Sequence, residues 1–227
     1  MERYKKTCYI PVVKHSDSSN PRVSNFGGVA PYLPINGPIF CDCGDKLQTV
    51  FSFHIPSIPD EMKKLFPSDH ECVVVGNTCN SCHIHQEVKC YSDEQIDQLV
   101  YDDVPSKRNV FNEPRTVTEW KESFMYPYGV NEAGFELPEK DSFNQEELLF
   151  IDEFLHEKNY GNKDLKTYLG GYPCFAQGDD RPNGHVLLLE IEESEASTNL
   201  WGDCGTAQVW MTTGSDFGSF IMQYNCS

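Results

Sequence analysis

Four of the ten cysteines stand in two close pairs and could bind a metal ion together. Cys41 and Cys43 are separated by one residue, and Cys79 and Cys82 by two. Two close thiolate pairs on turns are typical of tetrahedral zinc sites, in which each pair supplies two of the four ligands. The chain between the pairs predicts a hairpin that brings them together. The spacing therefore predicts a closed, structural zinc site, since four protein thiolates leave no position for a substrate.

The ligand set has alternatives in the sequence. His83, His85 and Cys90 lie close enough to Cys82 to replace one ligand. The C-x-C spacing is tighter than the usual C-x-x-C knuckle, and cysteine is often simply a buried thiol. Free thiols or metal ligands are still the expected use of cysteine in a reducing compartment. Five other cysteines show no pairing pattern and are expected in the core: Cys8, Cys72, Cys174, Cys204 and Cys226.

Carboxylates are dense near the predicted C-terminal strands and raise the question of a hydrolase. In the predicted strand 187–192, Glu190 and Glu192 share one face, opposite the aliphatic residues. A solvated strand face explains this alternation better than a catalytic pair. With Glu193 and Glu195, these residues predict an acidic surface that binds a partner. The sequence contains no P-loop, G-x-S-x-G or H-E-x-x-H motif.

The charge of the chain is strongly negative and unevenly distributed. The net charge is −17, with 11 basic and 15 acidic residues through Glu113 and 7 basic and 20 acidic residues from Pro114 onward. Such a surface repels a phosphate backbone, so nucleic acid is not expected as a direct partner. A basic protein or peptide is favoured instead. The alternative is that the charge only maintains solubility.

Nothing in the sequence predicts export or insertion into a membrane. The N-terminal apolar stretch, 9–13, is too short for the hydrophobic region of a signal peptide. No apolar run approaches the length of about 18 residues that a membrane span needs. Ten cysteines without an export signal indicate a reducing compartment, so the expected location is the cytoplasm.

The elements that must position these residues are mostly strands. Capping-box patterns at Ser92 and Ser142 predict two helices, the second extending to about Lys158 in an acidic segment, and Pro59 predicts the start of a third. Trp201 and Asp203 predict a tight structural turn in the segment 201–205. Period-two alternation and short apolar runs predict strands at 8–13, 47–55, 72–76, 116–122, 185–192, 206–212 and 218–225.

An internal repeat indicates duplication. A Gly-Gly pair followed closely by proline occurs at 27–31 and again at 170–173, and a long alternating strand follows each copy. The predicted fold is therefore α+β, with two related β-rich halves, antiparallel sheets and a few short helices. The predicted organisation is a polar leader, 1–20, a first half with the zinc site, 21–130, and an acidic helix with the second half, 131–227.

Seven segments carry motifs that occur together in a known family: 26–34, 41–44, 116–123, 166–179, 187–192, 201–205 and 216–227. On these segments, which span nearly its whole length, the chain resembles the YwqG-like proteins, a family of unknown function. The resemblance implies a duplicated α+β arrangement of antiparallel sheets. More distantly, the chain is similar to the programmed-cell-death-two proteins, which are understood as escorts for a newly made ribosomal protein. Family members often have C-x-x-C where this chain has C-x-C, and neither family supplies a catalytic set.

Two functions are consistent with these features. The first is a non-enzymatic interaction module, an escort or adaptor for a basic protein, stabilised by structural zinc. The second is a hydrolase of unrecognised type with carboxylates in a cleft between the halves. A concave pocket with carboxylates of shifted pKa favours the enzyme, whereas a broad acidic or apolar groove favours the binding module.

Overall fold

A computed structural model describes most of the predicted strands. The described residues are 5–15, 20–67, 71–79, 81–82, 86–101, 114–125, 145–146, 149, 167–173, 181–192, 206–213 and 218–225. No helix within these ranges is both long and apolar enough to cross a membrane.

Ten antiparallel strands form one continuous sheet. Its order is β10-β9-β8-β7-β1-β6-β2-β3-β4-β5. Each end of the sheet is a four-stranded meander, β2–β5 (the first meander) and β7–β10 (the second meander), and β1 and β6 join the two. The strands are β1 Lys6–His15, β2 Asn25–Phe26, β3 Gln48–His54, β4 Cys72–Thr78, β5 Gln86–Ser92, β6 Arg115–Met125, β7 Thr167–Gly170, β8 Val186–Glu192, β9 Thr206–Met211 and β10 Phe220–Asn225.

The expectation of an α+β fold built from two related halves is wrong. The described helices are one-turn elements, α1 Asp60–Lys63 and α2 Asp93–Ile96, with a 3₁₀ turn at Ile55–Ser57. The capping box predicted at Ser92 is present and opens α2. The acidic helix predicted after Ser142 lies almost entirely outside the described residues. The sequence pattern predicted the individual strands, but it could not show that the strands of both predicted halves join one sheet.

The predicted leader contributes a strand to the middle of this sheet. Strand β1 pairs with β6 along its whole length and with β7 at Cys8 and Tyr9. These pairings connect the first meander to the second through backbone hydrogen bonds. The proposed boundaries at 20/21 and 130/131 stay predictions.

One hydrophobic core lies under both meanders, because alternate residues of each strand point to the same face. Phe53 packs edge-on against Phe26 and Trp120, with both pairs of ring centroids 5.6 Å apart. Leu189 on β8 and Val209 on β9 extend the same core under the second meander. Each fully buried side chain of this size contributes about 1.5–3 kcal/mol to folding.

The sheet curls until its two edges meet. The edge strands β5 and β10 lie against each other without pairing. At this seam the Tyr224 hydroxyl donates a hydrogen bond to Thr78 Oγ1 at 2.5 Å. Thr78 is the last residue of β4, so the seam passes beside the turn that carries Cys79 and Cys82.

Candidate metal centre

The register of β3 and β4 brings the two cysteine pairs together. Gln48, the first residue of β3, is paired with Thr78, the last residue of β4. Residues just before Gln48 and just after Thr78 therefore meet at the same end of the first meander. The predicted hairpin exists, and it has the effect on the cysteines that the spacing predicted.

A tight turn presents the first pair. A β-bridge between Phe40 and Lys46 closes a loop, within which the Cys41 N–H donates to the Asp45 carbonyl at 2.8 Å. The Gly44 N–H in turn donates to the Cys41 carbonyl at 2.8 Å. Gly44 has a φ of 81°, in the left-handed region that glycine adopts without a steric cost. The one-residue spacing thus fits a compact turn.

The second pair follows β4 directly. Cys79 is the residue after the strand, and Cys82 lies on the turn that leads toward β5. The backbone N–H groups of Ser81 and Cys82 donate hydrogen bonds to Cys79 Sγ. Such donors stabilise a thiolate, and they also fix the sulfur relative to the turn.

The four sulfurs form a compact cluster of ligand size. Cys41 Sγ lies 3.3 Å from Cys82 Sγ, and Cys43 Sγ lies 3.5 Å from Cys79 Sγ. All four sulfurs are within 4.8 Å of one another, and all four cysteines are free thiols. Zinc–sulfur bonds of about 2.3 Å in a tetrahedron require sulfurs about 3.8 Å apart. That value lies between the shortest sulfur–sulfur distance in the cluster, 3.3 Å, and its upper limit of 4.8 Å. The residues therefore fit a tetrahedral metal ion with four sulfur ligands.

Burial differs among the four cysteines and affects how easily their thiols ionise. Cys41 and Cys79 are buried and pack against Leu47, whereas Cys43 is exposed. The Cys43 backbone N–H donates to Cys41 Sγ and by itself lowers the pKa of that thiol. Burial and the hydrogen bonds of the neighbouring thiols outweigh this effect and raise the pKa of Cys41 to about 12. Burial likewise raises the pKa of Cys79. A metal ion must displace these protons to bind.

Among the alternative ligands, Cys90 is engaged elsewhere. It lies on β5 and forms a thiol–thiol hydrogen bond with Cys72, on the core side of the sheet. The Cys72 thiol donates in this pair, so its pKa is raised while that of Cys90 is lowered. His83 and His85 lie outside the described residues.

The expectation of a solvated face on β8 is wrong for Glu190. Its side chain is 2% exposed and accepts a hydrogen bond from Gln208 Nε2 at 3.1 Å. Gln208 is itself buried, and its Oε1 accepts a hydrogen bond from Gln223 Nε2 at 3.3 Å. Glu192 is half-buried. The alternation on β8 indicated two faces correctly, but polar partners on β9 allow the polar face to be buried too.

Four predicted residues fall in parts of the chain that the structure does not describe. They are the acidic residues Glu193 and Glu195 and the predicted turn residues Trp201 and Asp203.

Sequence reasoning missed two residues of the metal centre, Asp45 and Ser81. Asp45 is 3% exposed and accepts a hydrogen bond from the Ser81 hydroxyl, which joins the two cysteine turns. Asp and Ser are common turn residues, so their presence beside the cysteines gave no distinct signal. Only the register of β3 and β4 places them opposite each other.

Comparison with known proteins gives a family and nothing narrower. A family model described as a domain of unknown function, DUF1963, matches residues 42–226. The match includes Cys43, Cys79 and Cys82 and begins one residue after Cys41. No curated protein matches the chain. The expectation of a family of unknown function is confirmed.

Proposed function

Since the chain belongs to the DUF1963 family of domains of unknown function, we propose from its own residues that it is a non-enzymatic protein-interaction module stabilised by structural zinc. The observation that carries this proposal is the cluster of four sulfurs from two turns. Four protein thiolates fill a tetrahedral zinc ion completely, so the ion has no open position for a substrate. Its role is then to hold the turns at the end of the first meander together.

Zinc is proposed over other metals because of the ligand chemistry. Four soft thiolates in tetrahedral geometry select zinc or iron, whereas calcium and magnesium take oxygen ligands. Elemental analysis of protein purified without added metal tests this proposal. We expect one zinc ion per chain, and none after Cys79→Ser and Cys82→Ser are combined. Iron at the same stoichiometry contradicts the choice of metal, and protein without metal that still folds fully contradicts the centre itself.

The interaction role is supported by charge. Residues from Pro114 onward carry a net charge of −13 out of −17 in total. A surface of one sign attracts an oppositely charged partner over long range and speeds their encounter. The distant resemblance to escort proteins for a ribosomal protein points to the same class of partner, a basic protein. The proposed location is the cytoplasm, which keeps the thiolates reduced.

Association kinetics test the interaction role once co-purification has identified a partner. We expect the association rate to fall clearly as salt rises, because the Debye length shortens to about 8 Å at physiological ionic strength. Neutralising Glu192, Glu193 and Glu195 with glutamine should slow association more than it speeds dissociation. Glu190 is left unchanged because it is buried.

A matched control removes the same number of charges from the first part of the chain. Asp60→Asn, Glu61→Gln and Glu94→Gln change three exposed carboxylates there. We expect a smaller effect on the association rate than for the C-terminal triple variant. An acidic partner, or an association rate that does not depend on salt, contradicts the proposal and leaves the charge with a role in solubility alone.

A further inference from the structure

A hydrogen bond connects the two cysteine turns independently of any metal. Asp45 Oδ2 accepts from the Ser81 hydroxyl, and Asp45 Oδ1 accepts from the Lys46 N–H at 3.0 Å. The backbone carbonyl of Asp45 accepts from the N–H of Cys41 at 2.8 Å. Asp45 thus holds its own turn through two contacts and reaches the other turn through a third.

The position of this hydrogen bond matters because of what lies on each side. Ser81 immediately precedes Cys82, and its N–H donates to Cys79 Sγ. Asp45 lies two residues after Cys43. A rigid link at these positions fixes the distance between the two pairs of ligands. Residues around a metal that orient its ligands in this way commonly change affinity about 10- to 100-fold when mutated.

We propose that the Asp45–Ser81 hydrogen bond is a clamp that holds the four thiols in position before the metal binds, which makes Asp45 and Ser81 positioning residues of the centre. This inference rests on the proposed metal site. The clamp reduces the conformational entropy that the two turns lose when the metal joins them. It therefore tightens metal binding without contributing a ligand.

The charge of Asp45 has the opposite effect and can be separated from the clamp. A carboxylate 3% exposed beside four thiolates repels the negative charge that they acquire on ionising. If Asp45 acted only through its charge, Asp45→Asn would tighten metal binding and Ser81→Ala would change little. Because asparagine can still hydrogen-bond the Ser81 hydroxyl, Asp45→Asn retains the clamp, whereas Asp45→Ala and Ser81→Ala remove it.

The test is zinc affinity of the full chain, measured by competition with a chromogenic chelator. We expect Ser81→Ala and Asp45→Ala each to weaken zinc binding by about 10-fold or more. Asp45→Asn should bind zinc about as tightly as the wild type, and therefore more tightly than Asp45→Ala. The double variant, Asp45→Ala with Ser81→Ala, should lose no more zinc affinity than the single variant that binds zinc less tightly. Both substitutions remove the same interaction.

Two further measurements separate the clamp from other effects. Cobalt(II) bound to Ser81→Ala should keep the absorption of a tetrahedral four-thiolate site, which shows that all four ligands remain. Ser57→Ala, which removes a hydroxyl bonded to Ser24 Oγ and the His54 carbonyl, serves as the control and should leave zinc affinity unchanged.

The outcomes for the clamp and for the metal centre are distinct. Wild-type protein that binds no zinc overturns the metal centre, and the clamp with it. Wild-type protein that binds zinc tightly while Ser81→Ala binds it equally well overturns the clamp and leaves the centre intact. Additive losses in the double variant also overturn the clamp, because they show that the two residues act separately.

Discussion

The two meanders of the sheet share a core but differ in the polar groups that they add to it. The first meander carries four thiols at the end of the β3–β4 pair, within reach of one metal ion. The second carries a row of polar side chains across β8, β9 and β10: the buried Glu190 and Gln208 and the half-buried Gln223. In the part of the second meander that the structure describes, no such cluster of ligands occurs.

The two meanders therefore differ in whether their stability depends on a component from outside the chain. The hydrogen bonds of the polar row form as the chain folds and need no other component. With the proposed zinc ion bound, the first meander also gains stability from metal binding, because the binding free energy then adds to the free energy of folding. Removal of metal should therefore affect the two ends of one sheet unequally.

The largest expected effect follows from loss of the metal ligands. With Cys79→Ser and Cys82→Ser combined, we expect the free energy of unfolding to fall by several kcal/mol in the presence of zinc. Hydrogen exchange should accelerate in β3 and β4 far more than in β8 and β9. Urea unfolding and exchange of backbone amides, followed by mass spectrometry, measure the two effects.

The wild-type protein treated with a strong chelator is the control for the cysteine variant. It should reproduce both the lower stability and the uneven exchange. If the double variant unfolds like the wild type and still binds one zinc ion, Cys79 and Cys82 are not the ligands. Equal acceleration of exchange in both meanders contradicts the comparison, though not the metal site.

The cluster of four cysteines could be predicted from sequence because its chemistry is local to short motifs. Two close pairs of cysteines on turns allow few uses, and the strand 47–55 supplied the hairpin that joins them. The bond between Asp45 and Ser81 could not be predicted, since it depends on the register of β3 and β4 rather than on spacing. Glu190 was misjudged because no pattern in β8 reveals which amides β9 places beside it.

Strands were predicted well and their assembly was not. Alternation identified β3 and β8 because successive side chains of a strand point to its two faces in turn. The Gly-Gly pairs suggested two halves, and both do adopt positive φ: 72° and 105° at Gly27 and Gly28, 72° and 75° at Gly170 and Gly171. That similarity is local to the turns. The pairing of β1 with β6 and β7, which makes the sheet continuous, joins residues far apart in sequence and leaves no periodic signal.

Packing in the first meander gives the second-largest expected effect. A Cβ on Gly76 would lie 2.1 Å from Cε1 of the buried Phe51 ring, so Gly76→Ala must displace that ring. Overpacking of this kind costs about 1–3 kcal/mol. We expect that loss in both metal-bound and chelated protein, measured by urea unfolding. Combining Gly76→Ala with Phe51→Val should cost less than the sum of the single changes, and strict additivity would show that the ring is not the obstacle.

The polar row predicts an effect of similar size, confined to the second meander. Glu190→Leu removes the carboxylate that accepts from Gln208 Nε2 and leaves that buried donor without it. Loss of such a partner costs about 1–3 kcal/mol. Adding Gln208→Leu should recover part of the stability, because the fully buried amide donor is then gone and only the half-buried Gln223 Nε2 loses an acceptor. Zinc content should not change. A Glu190→Leu protein as stable as the wild type contradicts a structural role for the row.

The smallest expected effect is a pH dependence that belongs to the first meander. His54 is buried on β3, and its Nε2 has no hydrogen-bond partner among the described residues. Burial lowers the pKa of His54, and the charge of Arg22 adds to this effect, while Glu71 and Asp93 oppose it. In the unfolded chain the same imidazole has its ordinary pKa of about 6.5.

The sign of this dependence follows from where the proton binds. Between the ordinary pKa and the lower pKa of the folded protein, the unfolded chain binds more protons, so stability falls as pH drops below about 6.5. Acid also releases zinc by protonating its thiolates, but that loss is common to the wild type and His54→Gln. The difference in unfolding free energy between these two proteins isolates the histidine. As pH falls through about 6.5, we expect that difference to shift in favour of His54→Gln. A difference that does not depend on pH would mean that the pKa of His54 is the same in the folded and the unfolded protein.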